Sequence, residues 1–345
     1  MTAGAEITED RRLLGLRAET LARLRAAGLD FVDVARVVRA ALEEDFRYGA
    51  DVTSAATVAG RTVTADVVAR EAGVLAGGPV ALAVFDLLVD YLGSAGRYTG
   101  GTASAPIPDA TGQASGGSTL GADSVTPVTA TVLVADGTRI SAGDAVLRVS
   151  GDAVAVLGAE RTMLNFLTHL SGIASATRTW ADAVAGTGAV IRDTRKTLPG
   201  LRVLEKYAVR CGGGENHRMG LGDAALIKDN HVAAAGGIGA AVRAVRAAAR
   251  PGLVIEVECD TVDQVREALA AGARFILLDN MPVPVLREAV AVARAYGEVR
   301  LEASGGLQLA NAREVAATGV NYLAVGGLTH SAQVLDLGLD YSGAS

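Results

Sequence analysis

The stretch that decides the fold is VIEVECDTVDQVREALAAGARFILLD, residues 254–279. It opens and closes with an apolar run, and a helical pattern covers residues 262–271 between the two runs. Thr261 is a typical helix N-cap, and Gly272 is a typical residue just after a helix end. Apolar strands that alternate with helices indicate a parallel sheet covered by helices. We therefore predict a β/α unit here.

The same unit recurs on both sides of this stretch. Four more apolar runs predict strands, and two more helical patterns predict helices. The strands cover residues 190–193, 225–228, 299–303 and 322–325, and the helices cover residues 284–296 and 308–318. Six strands favour an α/β fold with an incomplete, open β/α barrel over a complete eight-stranded barrel. A doubly wound open sheet is the competing topology.

The N-terminal half predicts a smaller lobe of mixed helices and strands. Apolar residues have helical spacing through 6–44 and 79–91, and alternating runs at 62–75 and 128–134 indicate strands. Small and polar residues dominate the stretch 93–125, which predicts a flexible insertion.

The sequence pattern changes at Glu160, which predicts a domain boundary just before it. A helix is expected over 161–170, closed by Ser171 and Gly172. We predict three parts: an α+β, sandwich-like lobe at 1–158, a β/α barrel catalytic domain at 159–328, and a C-terminal tail at 329–345 that packs back on the first lobe.

Composition excludes several classes of protein. The formal net charge of -6 argues against a nucleic-acid-binding protein, which needs a broad basic face. The N-terminal segment lacks the apolar core of a signal peptide, and Asp86 and Asp90 interrupt the longest apolar stretch, so no membrane span is predicted. Cys211 and Cys259 form neither a disulfide framework nor a zinc-ligand pattern. We expect a cytoplasmic protein with no metal-ligand set.

Polar residues stand where the predicted parallel strands end. They are Asp193, Lys228, Glu258, Asp279 and Ser304. A single charge at a strand end is usually only solvated, but the carboxyl ends of parallel strands open into one mouth of a β/α barrel. Five functional side chains at five strand ends therefore indicate an active site at that mouth.

The segment 192–218 is basic within an acidic chain, because it holds seven basic and three acidic residues. Arg195 and Arg218 are suited to binding carboxylates with paired hydrogen bonds. Arg202, Lys206 and Arg210 have the spacing of a basic helix face. Lysine is rare, with three among 32 basic residues, at positions 196, 206 and 228, which favours a chemical role for these lysines.

Two glycine loops, 304–306 and 326–327, follow the last two predicted strands. Their exposed peptide amides suit an anion, and this pair of loops is the usual phosphate site of β/α barrels. The ligand should therefore be anionic at both ends, with phosphate at one end and carboxylate at the other.

Eight longer motifs follow one another between residues 160 and 330. They are ERTMLN at 160–165, DTRKTLPG at 193–200, GGGENHR at 212–218, IKDNH at 227–231, EVE at 256–258, LDN at 278–280, EASGG at 302–306 and VGGLTH at 325–330. In these motifs and in their order, the chain resembles the quinolinate phosphoribosyltransferase family.

The resemblance implies a reaction. Quinolinate and phosphoribosyl diphosphate would give nicotinate mononucleotide, diphosphate and carbon dioxide, a step of NAD synthesis. It also implies Mg²⁺ bound mainly through the substrate's diphosphate. The expected assembly is a homodimer with a shared active site, or a hexamer built from such dimers.

The resemblance also implies roles for individual residues. The quinolinate carboxylates would lie against Arg161 from the neighbouring subunit and against Arg195, His217, Arg218 and Lys228. Lys196 and Lys228 would face the diphosphate, and Glu258 and Asp279 would bind the ribose hydroxyls; these four form the predicted catalytic set. Ser304, Gly305, Gly326, Gly327 and His330 would hold the 5-phosphate, and Thr194 and Gly306 complete the predicted substrate site.

Two other enzyme classes remain open. Lys228 at a strand end would suit a Schiff base, as in barrel aldolases, although the arginine cluster would then have no role. A related transferase specific for nicotinate, or a molybdenum-associated paralogue, would differ in substrate. A biotinyl- or lipoyl-like carrier is excluded, because no lysine precedes Lys196.

Overall fold

A computed structural model describes residues 15–94 and 127–344 of the chain. The chain divides into two compact units. They comprise residues Met1–Gly172 with Gln333–Ser345, and residues Ile173–Ala332. The predicted insertion lies outside the described residues, except for positions 93 and 94, which end a helix. The start of the first predicted helix, 6–14, lies outside them as well.

Twelve helices and twelve strands occur in the described part of the chain. The helices are α1 (Ala18–Ala26), α2 (Phe31–Phe46), α3 (Val52–Thr57), α4 (Gly78–Ser94), α5 (Ala153–Ala183), α6 (Arg202–Cys211), α7 (Asp229–Ala235), α8 (Ile238–Ala248), α9 (Val262–Ala270), α10 (Val283–Ala295), α11 (Leu309–Ala316) and α12 (Gly327–His330). The strands are β1 (Thr62–Ala69), β2 (Gly73–Val74), β3 (Thr129–Val132), β4 (Arg139–Ile140), β5 (Ala145–Asp152), β6 (Val190–Arg192), β7 (Ala224–Ile227), β8 (Val254–Cys259), β9 (Phe275–Asp279), β10 (Arg300–Ser304), β11 (Tyr322–Ala324) and β12 (Leu337–Ala344). Within that part, no helix has both the length and the low polarity that crossing a bilayer requires.

The first unit combines helices with a four-stranded antiparallel sheet in the order β12-β1-β5-β3. In β1, every second side chain is buried, including Val63, Ala65 and Val67, as expected for a strand with one face on a core. The C-terminal strand β12 pairs with β1 over residues 337–344. The predicted α+β lobe is confirmed.

The second unit contains six parallel strands in the order β6-β11-β10-β9-β8-β7, with helices between successive strands. In β9, Phe275 to Leu278 are all buried, which is typical of a parallel strand covered on both faces. Within the described residues, β6 and β7 are the two outer strands of this order, so the barrel-like sheet is open between them. The prediction of an incomplete β/α barrel is therefore confirmed.

The β/α unit at 254–279 forms as the sequence predicts. Helix α9 begins after Thr261, whose side chain accepts from the backbone N–H of Gln264, and the Gln264 side chain accepts from Thr261 N–H in return. This capping box satisfies two donors at the helix start.

Helix α5 corrects one prediction. The expected helix end at Gly172 is wrong, because α5 continues through this residue to Ala183. A Cβ atom on Gly172 would lie 2.1 Å from the carbonyl oxygen of Gln333, so this glycine permits a close backbone approach and does not end the helix. The predicted boundary after residue 158 falls inside α5, and the compact units divide at residue 172.

Candidate active site

The carboxyl ends of the parallel strands surround a hollow of about 620 Å³ in the second unit. Many of the residues that the sequence assigns to the site line it: Thr194, Arg195, Lys196, His217, Arg218, Lys228, Glu258, Asp279, Ser304, Gly305 and Gly306. Four of the five strand-end side chains are thus brought together. The register contributes to this convergence, because Ser304 of β10 lies directly beside Asp279 of β9.

Two guanidinium groups form a cationic wall of the hollow. Arg195 and Arg218 both keep a buried Nε that has no hydrogen-bond acceptor in the described part of the chain. Burial lowers the pKa of Arg218, and the neighbouring charge of Arg195 lowers it further. Both positively charged side chains line the hollow, so this wall is suited to an anionic ligand.

Opposite charges face each other at the ends of β7 and β8. Lys228 Nζ lies 3.0 Å from Glu258 Oε2, and the Lys228 side chain remains 48% exposed. An ion pair with this exposure contributes little to stability. The Glu258 side chain is only 13% exposed, but both residues line the hollow, where a ligand can contact them.

Lys196 lies beside the second glycine loop. A Cβ atom at Gly326 would be 3.1 Å from Lys196 Cδ and 3.7 Å from His330 Nε2. The Thr329 hydroxyl donates to the carbonyl oxygen of Lys196 at 2.8 Å. Gly326, Gly327 and His330 do not line the hollow themselves, and their phosphate role remains a prediction.

Arg161, the remaining predicted ligand, belongs to the first unit and is exposed on helix α5. It does not line the hollow. Its predicted action from a neighbouring subunit stays a prediction.

A buried ion pair holds the segment that carries the second arginine. The Lys206 ammonium donates to Asp193 Oδ1 and to the carbonyl oxygen of His217, the latter at 2.8 Å. Asp193 also accepts from the His217 N–H at 2.8 Å and from Asn216 Nδ2 at 2.6 Å. Burial raises the pKa of Asp193 and lowers that of Lys206, and their mutual attraction opposes both shifts. The bonds tie Asn216 and His217, which directly precede Arg218, to the residue that follows β6.

This ion pair corrects two predictions. Lys206 and Asp193 are both fully buried, so Lys206 does not lie on an exposed basic helix face. The Asp193 side chain does not line the hollow, unlike the other strand-end residues. Their shared role is to position the chain around His217.

A polar cluster of Arg192, His217, Glu256 and Glu302 forms the floor of the hollow, and His217 and Glu302 line the hollow directly. His217 Nε2 is 3.0 Å from Glu256 Oε2 and 3.6 Å from Glu302 Oε1, and Arg192 Nη1 donates to Glu302 Oε2 at 2.6 Å. Both glutamates are nearly or fully buried. Successive side chains of a strand point to opposite faces of the sheet. Glu256 therefore lies on the same face as Glu258, and Glu302 on the same face as Ser304, each one layer deeper in the fold. The interior of the second unit is therefore polar in the layer that contains Glu256 and Glu302.

The hydrogen bonds of His217 determine its tautomer. The backbone N–H of Arg218 donates to His217 Nδ1 at 2.7 Å, so that nitrogen carries no proton. Burial lowers the pKa of His217 to about 4, and the neutral ring must then carry its proton on Nε2, which faces Glu256. His217 lines the hollow with both nitrogens already facing protein groups, so its carboxylate-binding role remains a prediction.

Two family models match the chain. They describe the quinolinate phosphoribosyl transferase C-terminal domain, which matches residues 173–340, and the N-terminal domain, which matches residues 121–171. The nicotinate-nucleotide pyrophosphorylase (carboxylating) of Mycobacterium leprae is 50% identical over 313 residues, which cover 89% of this chain and 97% of that relative. The chain belongs to the quinolinate phosphoribosyltransferase family.

Solved structures agree with membership of the quinolinate phosphoribosyltransferase family. NadC from Streptococcus pyogenes superposes with a TM-score of 0.75 at 35% identity, covering 92% of this chain and 98% of that one. The human nicotinic acid phosphoribosyltransferase shares 14% identity with a TM-score of 0.55, over 84% of this chain and 72% of that one, and shows a common fold alone. Family membership excludes the aldolase interpretation of Lys228.

The site of this quinolinate phosphoribosyltransferase family member also contains residues for which the sequence predicts no role. Glu256 and Glu302 occur within family motifs that predict no role for them, and no role is predicted for Asn280; Glu302 and Asn280 both line the hollow. One signal was available: Glu256 and Glu302 stand within apolar strand runs, each two residues before a predicted site residue. With a period of two, this spacing places them on the inner face.

The Glu256→Gln substitution is expected to change how stability depends on pH. Burial raises the pKa of Glu256 from 4.5 to about 7. Between these values the folded protein retains a proton that the unfolded chain has lost, so this group costs stability as the pH rises towards 7. Glutamine stays neutral, so the free energy of unfolding of the variant, relative to that of wild type, should increase by about 1–3 kcal/mol as the pH rises from 5 to 8.

Thermal unfolding of both proteins at the two pH values measures this gain. The exposed Glu288, replaced by glutamine, is the matched control and should follow wild type at both pH values. A stability difference between Glu256→Gln and wild type that is the same at pH 5 and pH 8 would contradict the prediction.

Proposed function

We propose that this protein transfers the phosphoribosyl group of phosphoribosyl diphosphate to quinolinate and releases carbon dioxide, which yields nicotinate mononucleotide for NAD synthesis. Support comes from the family and from the activity named for the Mycobacterium leprae relative. The observation that carries the proposal is the hollow itself, because Arg195 and Arg218, which can bind carboxylates, and the glycine loop at 304–306 all line it.

The acceptor is held by charge and geometry. Quinolinate carries two neighbouring carboxylates, and Arg195 and Arg218, which both line the hollow, can each bind one. A nicotinate ring has one carboxylate and would leave one arginine unsatisfied. A site with buried donors discriminates strongly against a ligand that cannot pair with them.

In the transfer step, the ring nitrogen of quinolinate bonds to the anomeric carbon of the ribose, and the bond from that carbon to the diphosphate oxygen breaks. Lys196 and Lys228 lie in the hollow where they can offset charge on the leaving diphosphate. Glu258 and Asp279 offer carboxylates to the ribose hydroxyls and favour positive charge at the anomeric carbon. We assign catalysis to orientation and electrostatics, without a covalent nucleophile.

Carbon dioxide is lost after the transfer. The ring nitrogen then carries a positive charge next to the carbon that bears the departing carboxylate. When the carbon–carboxylate bond breaks, its electron pair stays on that ring carbon beside the charged nitrogen, and a proton from solvent completes nicotinate mononucleotide. The transfer must come first, because only the transfer gives the ring nitrogen the charge that stabilises this electron pair.

Mg²⁺ and a second subunit belong to this proposal. Carboxylate oxygens suit Mg²⁺, but Glu258 already pairs with Lys228, so the hollow fits an ion held mainly by the substrate's diphosphate. When bound, Mg²⁺ would offset charge on the leaving diphosphate. We further propose a cytoplasmic homodimer, or a hexamer of such dimers, in which Arg161 of the partner subunit completes the quinolinate wall.

A product assay tests the function. Purified protein is mixed with phosphoribosyl diphosphate, Mg²⁺ and quinolinate labelled at the carboxylate next to the ring nitrogen, and nicotinate mononucleotide and labelled carbon dioxide are measured. We expect one carbon dioxide per nucleotide. Equal turnover of nicotinate without carbon dioxide release would contradict the assignment, and no turnover of either acid would favour a paralogue with another substrate.

A further inference from the structure

Asn280 has an unusual backbone conformation at the edge of the hollow. Its φ is 52°, and within the described residues every other positive φ belongs to a glycine. The left-handed region is uncommon for residues with a side chain, although asparagine tolerates it better than most. Outliers of this kind cluster at functional sites. Asn280 also lines the hollow directly.

The side chain and backbone of Asn280 join two loops. Its Nδ2 donates to Asp279 Oδ2 at 2.8 Å, and its backbone N–H donates to the carbonyl oxygen of Ser304 at 2.8 Å. The carboxylate can only accept, so the amide orientation is determined and Oδ1 faces the other way.

Gly305 and Asn280 interlock. A Cβ atom at Gly305 would lie 2.2 Å from Asn280 Oδ1 and 2.5 Å from its Cγ. The asparagine side chain therefore occupies the space that a side chain at position 305 would need. With Asn280 in place, the loop after β9 and the loop after β10 fit together because position 305 has no side chain.

We propose that Asn280 is a positioning residue that sets the separation between the Asp279 carboxylate and the peptide amides of residues 304–306. This inference rests on the proposed function, in which Asp279 binds the ribose hydroxyls, and on the predicted role of the glycine loop in binding the 5-phosphate. The hydroxyls and the phosphate belong to one sugar. A fixed separation in the protein therefore selects a 5-phosphorylated ribose.

The backbone conformation alone does not require asparagine at this position. Glycine adopts the left-handed region without steric cost. What asparagine adds is an amide donor to Asp279 and a side chain that fills the space beside Gly305. Both additions act on the two loops that face the sugar and its phosphate.

Direct binding of ribose 5-phosphate to the full-length protein, measured by calorimetry, tests the role. Asn280→Gly relieves the backbone and removes the side chain, so it should retain stability and lose about tenfold in affinity. Asn280→Asp places a second carboxylate beside Asp279 and should lose more. In turnover assays of these variants, the KM for phosphoribosyl diphosphate should rise together with the Kd for ribose 5-phosphate. The KM for quinolinate should change less than about twofold.

A double variant tests the interlock. Gly305→Ala in wild type meets the Asn280 side chain, whereas in the Asn280→Gly background that side chain is gone. The loss of affinity caused by Gly305→Ala should therefore be smaller in the double variant, a non-additivity expected of residues in contact. Additive losses would overturn the interlock.

Asn321→Gly is the matched control. Its side chain accepts from the Leu301 N–H at the opposite end of β10, so its loss should lower stability and leave ribose 5-phosphate affinity unchanged. The positioning role is overturned if wild type fails to bind ribose 5-phosphate, or if Asn280→Gly binds it as well as wild type does. Wild-type turnover of quinolinate is measured separately, and its absence would overturn the proposed function instead.

Discussion

The Arg195→Ala substitution is expected to weaken quinolinate binding by about 2–5 kcal/mol, the loss typical of truncating one partner of a buried charge pair. Arg195 lines the hollow with a buried Nε that has no acceptor in the described part of the chain. Removing it leaves one carboxylate of the dianion without its paired donors. The change should appear in the Kd for quinolinate measured by calorimetry.

One further variant separates charge from geometry at position 195, and a substitution of a surface arginine serves as the control. Arg195→Lys keeps the charge but loses the planar guanidinium group, so its affinity for quinolinate should lie between those of wild type and Arg195→Ala. Arg266→Ala removes an exposed arginine from surface ion pairs with Asp263 and Glu288 and should leave the Kd unchanged. Quinolinate affinity in Arg195→Ala equal to wild type would remove Arg195 from the site.

The Lys206→Met substitution is expected to cost about 3–5 kcal/mol of stability in the second unit, because it leaves the Asp193 charge buried without its partner. Methionine matches the length of the lysine stem, so the loss reports the charge and its hydrogen bonds. The fluorescence of Trp180, the single tryptophan of the chain, reports on the second unit during urea unfolding.

The double variant Asp193→Asn with Lys206→Met distinguishes a broken pair from a lost contact. Removing both charges should recover part of the stability, because neither partner is then buried alone. The same variants should weaken quinolinate binding, since the pair holds the backbone of His217 in place. A double variant less stable than Lys206→Met alone would contradict the ion-pair explanation.

The fold was predictable from sequence wherever a pattern reports a local physical requirement. Buried parallel strands are apolar throughout, and helix α9 shows its cap at Thr261, so the order of strands and helices could be inferred. The strand-end residues Lys228, Glu258, Asp279 and Ser304 converge because parallel strands share one carboxyl edge. That argument needs only the direction of the strands.

Features that depend on tertiary packing were not predictable in the same way. Gly172 resembles a helix end, and only the nearby Gln333 backbone explains why it is needed inside α5. Lys206 has the spacing of an exposed helix face, and only the tertiary structure shows that it is buried in an ion pair with Asp193. Asn280 stands beside a predicted site residue, but its conformation depends on contact with a loop 24 residues later.

Because the sheet is open between β6 and β7, the segment around Glu215 also covers a strand edge. The Glu215 N–H donates to the carbonyl oxygen of Ile191 at 2.8 Å, and its carbonyl oxygen accepts from the Asp193 N–H at 3.2 Å, so one residue shields the outer edge of β6. An uncovered strand edge invites pairing with another molecule and aggregation. Engineers who shorten residues 212–218 to accept a new substrate should therefore expect poorer solubility unless this shield is kept.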